Sequence, residues 1–191
     1  MLQENIYNKR DLRMMVAVQN LVSEPDTEWE FIDGSYVKAH QHSTGARGAD
    51  SQAIGKSRAG NTTKIHLAVD SYGLPIEFTV TGGEVHDSTA ASELIEPLPP
   101  AKAVVADKGY DSGKIREQIK NKGANAVIPR RSNSIIGNAD MDWSLYRHRH
   151  LVENAFARLK HFRGLATRYD KLKRNYESVV AMACGFLWLP M

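Results

Sequence analysis

The stretch YRHRHLVENAFARLK, residues 146–160, predicts an amphipathic helix with polar groups at fixed spacing. At about 100° per residue, the side chains of Tyr146, Arg149, Glu153 and Lys160 fall on one stripe roughly 60° wide. The apolar side chains that point the other way are those of Leu151, Ala155, Leu159 and Phe162. The pattern places one carboxylate on a rigid helix among two cations and a phenol. Taken alone, Arg149 and Glu153 are equally typical of a solvated i,i+4 pair.

Two short apolar runs upstream each end in an aspartate, EFID at Asp33 and VVAD at Asp107. Aspartate is depleted in strands, so each needs a reason to be there. Asp33 has the alternative of an edge-strand charge, and Asp107 that of a turn or cap residue. Strand ends in α/β sheets are also where sites collect.

Together, Asp33, Asp107 and Glu153 indicate metal-dependent phosphodiester chemistry. Hard divalent ions prefer carboxylate oxygens, and Mg²⁺ keeps several waters, so few protein ligands suffice. Two ions about 4 Å apart can activate a nucleophile and stabilise a leaving 3′-oxygen. Asp33 could bridge both ions, with Asp107 and Glu153 each completing one. We interpret three other aspartates structurally: Asp70 as a hairpin residue, Asp87 and Asp111 as helix N-caps.

The remaining pattern predicts an α/β fold, a mixed sheet flanked by helices. Residues 24–191 are expected to form one domain, preceded by a poorly defined helical segment, 1–23, with a helix at 12–22. Glycine and serine without apolar periodicity predict a long mobile loop at 43–62. Strands are predicted at 29–42, 63–69, 76–81, 103–106 and 126–128, and helices at 88–97, 112–121, 144–161 and 176–189.

Charge is unevenly distributed along the 191 residues, whose formal net charge is +3. Residues 1–100 hold 8 Lys and Arg against 14 Asp and Glu, whereas residues 101–191 hold 17 against 8. The basic half suggests a polyanionic partner, although many proteins have a solvated basic face. No apolar run is long enough to span a membrane. The single cysteine, Cys184, excludes an intrachain disulfide and is expected to be a buried apolar residue.

The segment 158–176 interleaves cations with aromatic residues, a pattern that suits phosphates and splayed bases. Its alternative is a solvated amphipathic segment. The cations are Lys160, Arg163, Arg168, Lys171, Lys173 and Arg174, and the aromatic residues are Phe162, Tyr169 and Tyr176. A zinc site is disfavoured, because only close histidine pairs and no second cysteine are present. His40 and His42 are better explained as phosphate contacts or residues that line the site.

Four sequence blocks carry a family resemblance: IDGSYVKAH at 32–40, GGEVHD at 82–87, ADKGY at 106–110 and the spaced polar residues of 146–160. Together they resemble the bacterial insertion-sequence transposases of the IS5 group, within the wider IS4-like set. The resemblance covers roughly residues 24–190. Four fixed positions on one helix, in agreement with two aspartate blocks, make the match specific.

The resemblance implies a ribonuclease H-like fold with a DDE triad of Asp33, Asp107 and Glu153. Such an enzyme would cut and join double-stranded DNA, at the element's ends and at a target, using two Mg²⁺ or Mn²⁺ ions. DNA contacts are expected from Tyr146, Arg149, Lys160, Arg163, Lys171, Lys173, Arg174 and His40. The active complex is expected to be a homodimer in the cytoplasm. The alternatives are a nuclease that cuts without joining and a non-catalytic DNA-binding remnant.

One departure from the family pattern concerns the N-terminal region. Only 32 residues precede Asp33, and they show no clear helix-turn-helix. We therefore expect the chain to be the downstream product of a split or frameshifted reading frame. A separate N-terminal product would then contribute to recognition of the element's ends.

Overall fold

A computed structural model describes residues 24–45, 52–132 and 134–189. The helix predicted at 12–22 lies outside the described residues. Within them, no helix is long and apolar enough to cross a membrane.

The sheet is built around β1, Trp29–Ala39, which is flanked on both sides along its first half. Successive side chains of a strand point to opposite faces, so Phe31 and Ile32 enter two different cores. On one edge β1 pairs antiparallel with β3, Gly60–Val69, which in turn pairs antiparallel with β4, Pro75–Gly82. A short β2, Gly55–Ser57, pairs with the start of β3.

On its other edge, β1 pairs in parallel with β5, Ala103–Ala106, and β5 pairs in parallel with β6, Asn125–Val127. A two-residue β7, Thr167–Arg168, pairs with the end of β1. The main order is thus three antiparallel strands followed by two parallel ones. This mixed sheet flanked by helices confirms the predicted α/β fold class.

In the part of the chain that the structure describes, six α-helices connect and cover the strands. They are α1, Asp87–Ile95; α2, Gly113–Asn121; α3, Trp143–Tyr146; α4, His150–Leu159; α5, Arg163–Ala166; and α6, Lys173–Trp188. Turns of 3₁₀ helix occur at Gln41–Ser43, Lys108–Tyr110 and Arg147–Arg149.

Each face of the sheet has its own hydrophobic core. Helices α4 and α6 cover one face, where Val152, Phe156 and Val180 pack with Phe31. Helices α1 and α2 cover the other, where they pack against Ile32 and its neighbours. Each large side chain buried in this way contributes about 1.5–3 kcal/mol. Cys184 is buried in the first core, as predicted.

The structure corrects several predictions of local structure. The loop predicted at 43–62 is wrong over its second half, where β2 forms and β3 begins at Gly60. The helix predicted at 144–161 is divided into α3, a 3₁₀ turn and α4. Phe162, expected on the apolar side of that helix, is 37% exposed.

Both predicted aspartate N-caps are also wrong. His86 occupies the N-cap of α1, so Asp87 lies inside the first turn, where a negative charge suits the helix dipole. Ser112 occupies the N-cap of α2, and Asp111 instead pairs with Arg116. In both cases the carboxylate has a cation as its partner, which outweighs a cap hydrogen bond.

Candidate active site

Asp33 and Asp107 are brought together by the parallel pairing of β1 and β5. The last paired residues of the two strands are Ile32 and Ala106, so each aspartate is the next residue after the same rung. Residues at equal register on parallel strands point to the same face. Both carboxylates therefore point towards the face that α4 covers.

The backbone after Asp107 turns sharply and fixes its carboxylate. Asp107 Oδ1 accepts a hydrogen bond of 2.7 Å from the Gly109 N–H, which caps the 3₁₀ turn Lys108–Tyr110. A Cβ on residue 109 would lie 2.8 Å from that same oxygen. Only glycine allows this close approach, so the DKG sequence orients the carboxylate.

Glu153 reaches the same region from α4, through Arg149. Arg149 Nη1 donates to Asp33 Oδ2 at 2.7 Å, and Arg149 Nη2 donates to Glu153 Oε1. One guanidinium thus links a carboxylate of the sheet to a carboxylate of the helix. Arg149 lies in the 3₁₀ turn that precedes α4, whereas Glu153 lies in the first turn of α4.

The surroundings of Asp33 disfavour its charged form, although Arg149 is its partner. Burial raises the pKa of Asp33, and the nearby charge of Asp107 raises it further. Hydrogen bonds from the Gly34 N–H and from Arg149 oppose the rise without cancelling it. The carboxyl group would therefore gain from additional positive charge.

The donor set suits a hard divalent cation, since it consists of three carboxylates that face one region. As the side chains stand, however, no group of three His, Cys, Asp or Glu side chains in the described residues is arranged to hold an ion. The guanidinium of Arg149 lies between two of the three carboxylates. The chemistry of the three carboxylates therefore fits such an ion, but Arg149 occupies oxygens of Asp33 and Glu153 that would bind it.

Lys160 and Tyr146 lie near the carboxylates as well. Lys160 Nζ donates to Ser35 Oγ at 2.6 Å, and Ser35 shares the face of Asp33 two residues along β1. Tyr146, at the end of α3, is half-buried and packs against the first core. Both positions border the acidic centre.

The other predicted DNA contacts are spread over the surface beside β7. His40 stacks on Tyr169, with ring centroids 4.6 Å apart. Lys173 pairs with Glu177 along α6. The exposed cations of this set are Arg163, Lys171 and Arg174.

Two members of the basic and aromatic segment are interior residues. Arg168 is fully buried and donates to Thr63 Oγ1 and to the Ala53 carbonyl oxygen. Tyr176 is also fully buried and donates its hydroxyl to the Leu165 carbonyl oxygen. Neither residue is among the DNA contacts expected from the family resemblance, and the segment's pattern does not describe these two, since alternation of charge and aromaticity does not reveal which side chain turns inward.

A second polar group, on the opposite face of β1, was missed by the sequence analysis. Lys64 Nζ lies 2.6 Å from Asp87 Oδ1, and His66 Nδ1 lies 3.5 Å from the same oxygen. The hydroxyl of Tyr110 lies 3.4 Å from His66 Nδ1. Burial lowers the pKa of His66 to about 4. The only sequence signal was the GGEVHD block, which had been assigned to a helix cap.

The group of Lys64, His66 and Asp87 packs against the backbone next to Asp33 and Asp107. A Cβ on Gly34 would lie 2.7 Å from Asp87 Oδ1 and 2.9 Å from Lys64 Cε. A Cβ on Gly109 would lie 3.1 Å from Asp87 Oδ2. Asp87 is therefore packed against the residue that follows Asp33 and against the turn that holds Asp107.

Comparison with known proteins assigns this chain to a class of proteins. The model of the family described as transposase DDE domain matches residues 31–188. The chain therefore belongs to the transposase DDE domain family.

Its relatives are transposases of insertion sequences. The putative transposase of element IS6501 from Brucella ovis is 37% identical over 132 residues, which cover 67% of this chain and 98% of that protein. The putative transposase of IS402 from Burkholderia cepacia is 29% identical over 138 residues, covering 66% of this chain and 63% of that protein. For the IS1106 transposase of Neisseria meningitidis, the identity is 29% and the chain spans 44% of the relative.

Among solved structures, a Mos1 transposase paired-end complex with the left transposon end is similar. The TM-score is 0.33 at 12% identity, covering 83% of this chain and 62% of the other. A pre-cleavage Mos1 transpososome gives a TM-score of 0.32 at 9% identity, covering all of this chain and 65% of the other.

Proposed function

We propose that the chain is the catalytic domain of an insertion-sequence transposase of the IS5 group that cleaves DNA and transfers the cut strand. The observation that carries this proposal is the bridge by which Arg149 links Glu153 of the helix to Asp33 of the sheet, beside Asp107. Asp33 and Asp107 directly follow the last paired residues of β1 and β5. Glu153 is joined to Asp33 through Arg149. Such convergence on rigid elements is what a preorganised active site requires.

Asp33, Asp107 and Glu153 would hold Mg²⁺ or Mn²⁺, with two ions as the expected number. When bound, such ions lower the pKa of an attacking water and stabilise the leaving 3′-oxygen. Asp33 and Asp107 supply carboxylates fixed by hydrogen bonds from the Gly34 and Gly109 N–H groups. The two catalytic aspartates are thus oriented before any substrate arrives.

The cations around the centre would bind and orient the phosphodiester. Lys160 and Arg149 border the carboxylates, and Tyr146 lies at the preceding helix end. More distant phosphates would be met by the surface cations and His40; the cations are Arg163, Lys171, Lys173 and Arg174. Contacts of this kind fix the register of DNA without reading its sequence.

The expected substrates are double-stranded element ends and target DNA, bound by a homodimer in the cytoplasm. Cleavage would be hydrolysis of a phosphodiester by water, which leaves a 3′-OH. That hydroxyl would then attack a target phosphodiester, forming one P–O bond as another breaks, with no covalent enzyme intermediate.

The decisive experiment measures Mg²⁺- or Mn²⁺-dependent nicking and joining of DNA that bears the ends of the encoding element. Asp107→Ala should abolish both products. Glu153→Gln should lower strand cleavage by about 1000-fold, because a metal ligand is worth several kcal/mol of transition-state stabilisation. Its DNA affinity should change little, since no phosphate contact is lost.

Unchanged cleavage by Glu153→Gln would refute the triad. A pre-cut substrate with a free 3′-OH separates the two steps: joined products indicate a transposase, whereas nicked but never joined DNA indicates a nuclease.

A further inference from the structure

The guanidinium of Arg149 holds two of the three carboxylates of the proposed active site at once. Its two terminal nitrogens are divided between them, with Nη1 on Asp33 Oδ2 at 2.7 Å and Nη2 on Glu153 Oε1. A guanidinium is planar and permanently charged, so it suits this bridging position as a lysine ammonium would not. The carboxylate oxygens that would face a divalent ion are therefore already hydrogen-bonded to a cation.

This bridge is accessible and can be exchanged. The side chains of Asp33 and Arg149 are 20% and 22% exposed, and that of Glu153 is 50% exposed. Ion pairs that keep contact with water are weaker than fully buried ones, so a competing cation can replace one partner. By contrast, a deeply buried pair would resist exchange, because the released charge would stay without solvent.

The backbone at Arg149 also permits its side chain to leave. Arg149 ends the 3₁₀ turn Arg147–Arg149, and the regular helix starts only at His150. No residue of this turn is buried, and none belongs to the first hydrophobic core. The guanidinium can therefore swing away by side-chain rotation while α4 stays packed on the sheet.

We propose that Arg149 is an internal cation that occupies Asp33 and Glu153 until a divalent ion replaces it. The released guanidinium then faces the region where a DNA phosphate would lie. This inference rests on the proposed function, because it takes these carboxylates to be the metal ligands. In the absence of metal the acidic centre is thus closed and carries one negative charge fewer, and loading it frees a phosphate-binding group.

The test is titration of the DNA-free chain with Mn²⁺ by isothermal calorimetry. Arg149→Ala should bind Mn²⁺ about tenfold more tightly than the wild type, because loss of two ion pairs of modest strength removes the competition. Arg149→Lys should fall between them, since one ammonium does not span both carboxylates. Arg149→Gln, which keeps a donor but no charge, gives the same expectation as alanine and serves if the alanine variant does not fold.

Arg130→Ala is the matched control. Arg130 also makes a two-nitrogen pair with a carboxylate, Asp140, in the loop before α3, and this partner is not one of the three carboxylates. Its Mn²⁺ affinity should equal that of the wild type. A general effect of removing one positive charge would instead tighten binding in both arginine variants, and would overturn the exchange.

The remaining outcomes separate this inference from the proposed function. If the wild type and Arg149→Ala bind Mn²⁺ equally, or the variant binds more weakly, the exchange is wrong and the metal site stands. If neither binds Mn²⁺, with Asp107→Ala as the blank, both proposals fail. Tighter binding in Arg149→Ala and Arg149→Gln alone supports the exchange.

Discussion

Two carboxylate–cation pairs flank β1 on opposite faces, and they differ in the surroundings of the cation. In the pair of Asp33 with Arg149, both side chains are about one-fifth exposed. In the pair of Asp87 with Lys64, the aspartate is 23% exposed but the lysine only 5%. The guanidinium of Arg149 can therefore be solvated when it leaves its partner, whereas the ammonium of Lys64 would stay buried.

The two pairs also differ in their relation to the backbone of β1. Consecutive residues of β1 point to opposite faces, so Asp33 belongs to the open pair and Gly34 receives the closed one. Asp87 and Lys64 fill the space that a side chain on Gly34 would need. The closed pair thereby packs against the backbone that carries the open one, so under the proposed function it supports the position of Asp33.

Removal of the aspartate from each pair should give the largest contrast. Asp87→Ala should lower the free energy of unfolding by about 3 kcal/mol, because it leaves the ammonium of Lys64 buried without a partner. Asp33→Asn should change it by less than about 0.5 kcal/mol or raise it, because burial already disfavours that charge. Urea denaturation at pH 7 measures both.

A double variant tests the explanation for Asp87. In Lys64→Met with Asp87→Ala no buried charge remains, so part of the lost stability should return. Equal losses in Asp87→Ala and Asp33→Asn would break the distinction between an open and a closed pair.

The pH dependence of stability sharpens the comparison, because the closed face also holds an acid without a bonded cation. Glu30 is buried, its Oε1 has no hydrogen-bond partner among the described residues, and burial raises its pKa to about 7. Its folded pKa exceeds the unfolded value of 4.5, so this group costs stability as pH rises through that interval. His66, whose pKa burial lowers to about 4, costs stability as pH falls from 6.5.

The two effects oppose each other, so the wild-type free energy of unfolding should vary little between about pH 4.5 and 6.5. In Glu30→Gln only the histidine effect remains, so stability should rise with pH in this interval. At pH 7.5 the variant should exceed the wild type by about 2 kcal/mol. Thermal unfolding at several pH values checks this, and parallel profiles for the two proteins would contradict it.

The smallest expected effect concerns a cation on the open face. Lys160→Ala should weaken DNA binding by about 1 kcal/mol and reduce the slope of log affinity against log salt by about one, because one phosphate contact is lost. Lys102→Ala is the matched control: this lysine pairs with Glu28 and precedes β5, at the end opposite Asp107. Its salt slope should stay at the wild-type value in a fluorescence-anisotropy titration.

The periodic segments were predictable because local pattern determines them. The central strand, the hairpin at Asp70 and the last helix all follow from apolar alternation and turn residues. The pairing of β1 with β5 is not local, and no pattern in the sequence predicted it; the family resemblance implied only that Asp33 and Asp107 belong to one triad. Likewise, Glu153 and Arg149 were predicted to share a helix stripe, but nothing in the spacing tells that Arg149 reaches Asp33.

Buried polar residues were the least predictable part. Arg168, Lys64 and His66 are all interior, and each is kept there by partners distant in sequence. Sequence patterns treat such residues as solvated, because they carry no information about those partners. The missed Asp87 group and the unexpected burial of Arg168 share this cause.

The wide spacing of the three carboxylates has a consequence for synthesis of the protein. Ribosomes extend a chain from its N-terminus, at about 5–20 residues per second. The pairing of β1 with β5, which places Asp33 beside Asp107, can form before α4 emerges from the ribosome. Glu153 is added only when most of these residues have been translated. A nascent or prematurely released fragment that ends before α4 therefore lacks the third carboxylate, and the candidate site is complete only after α4 has been synthesised.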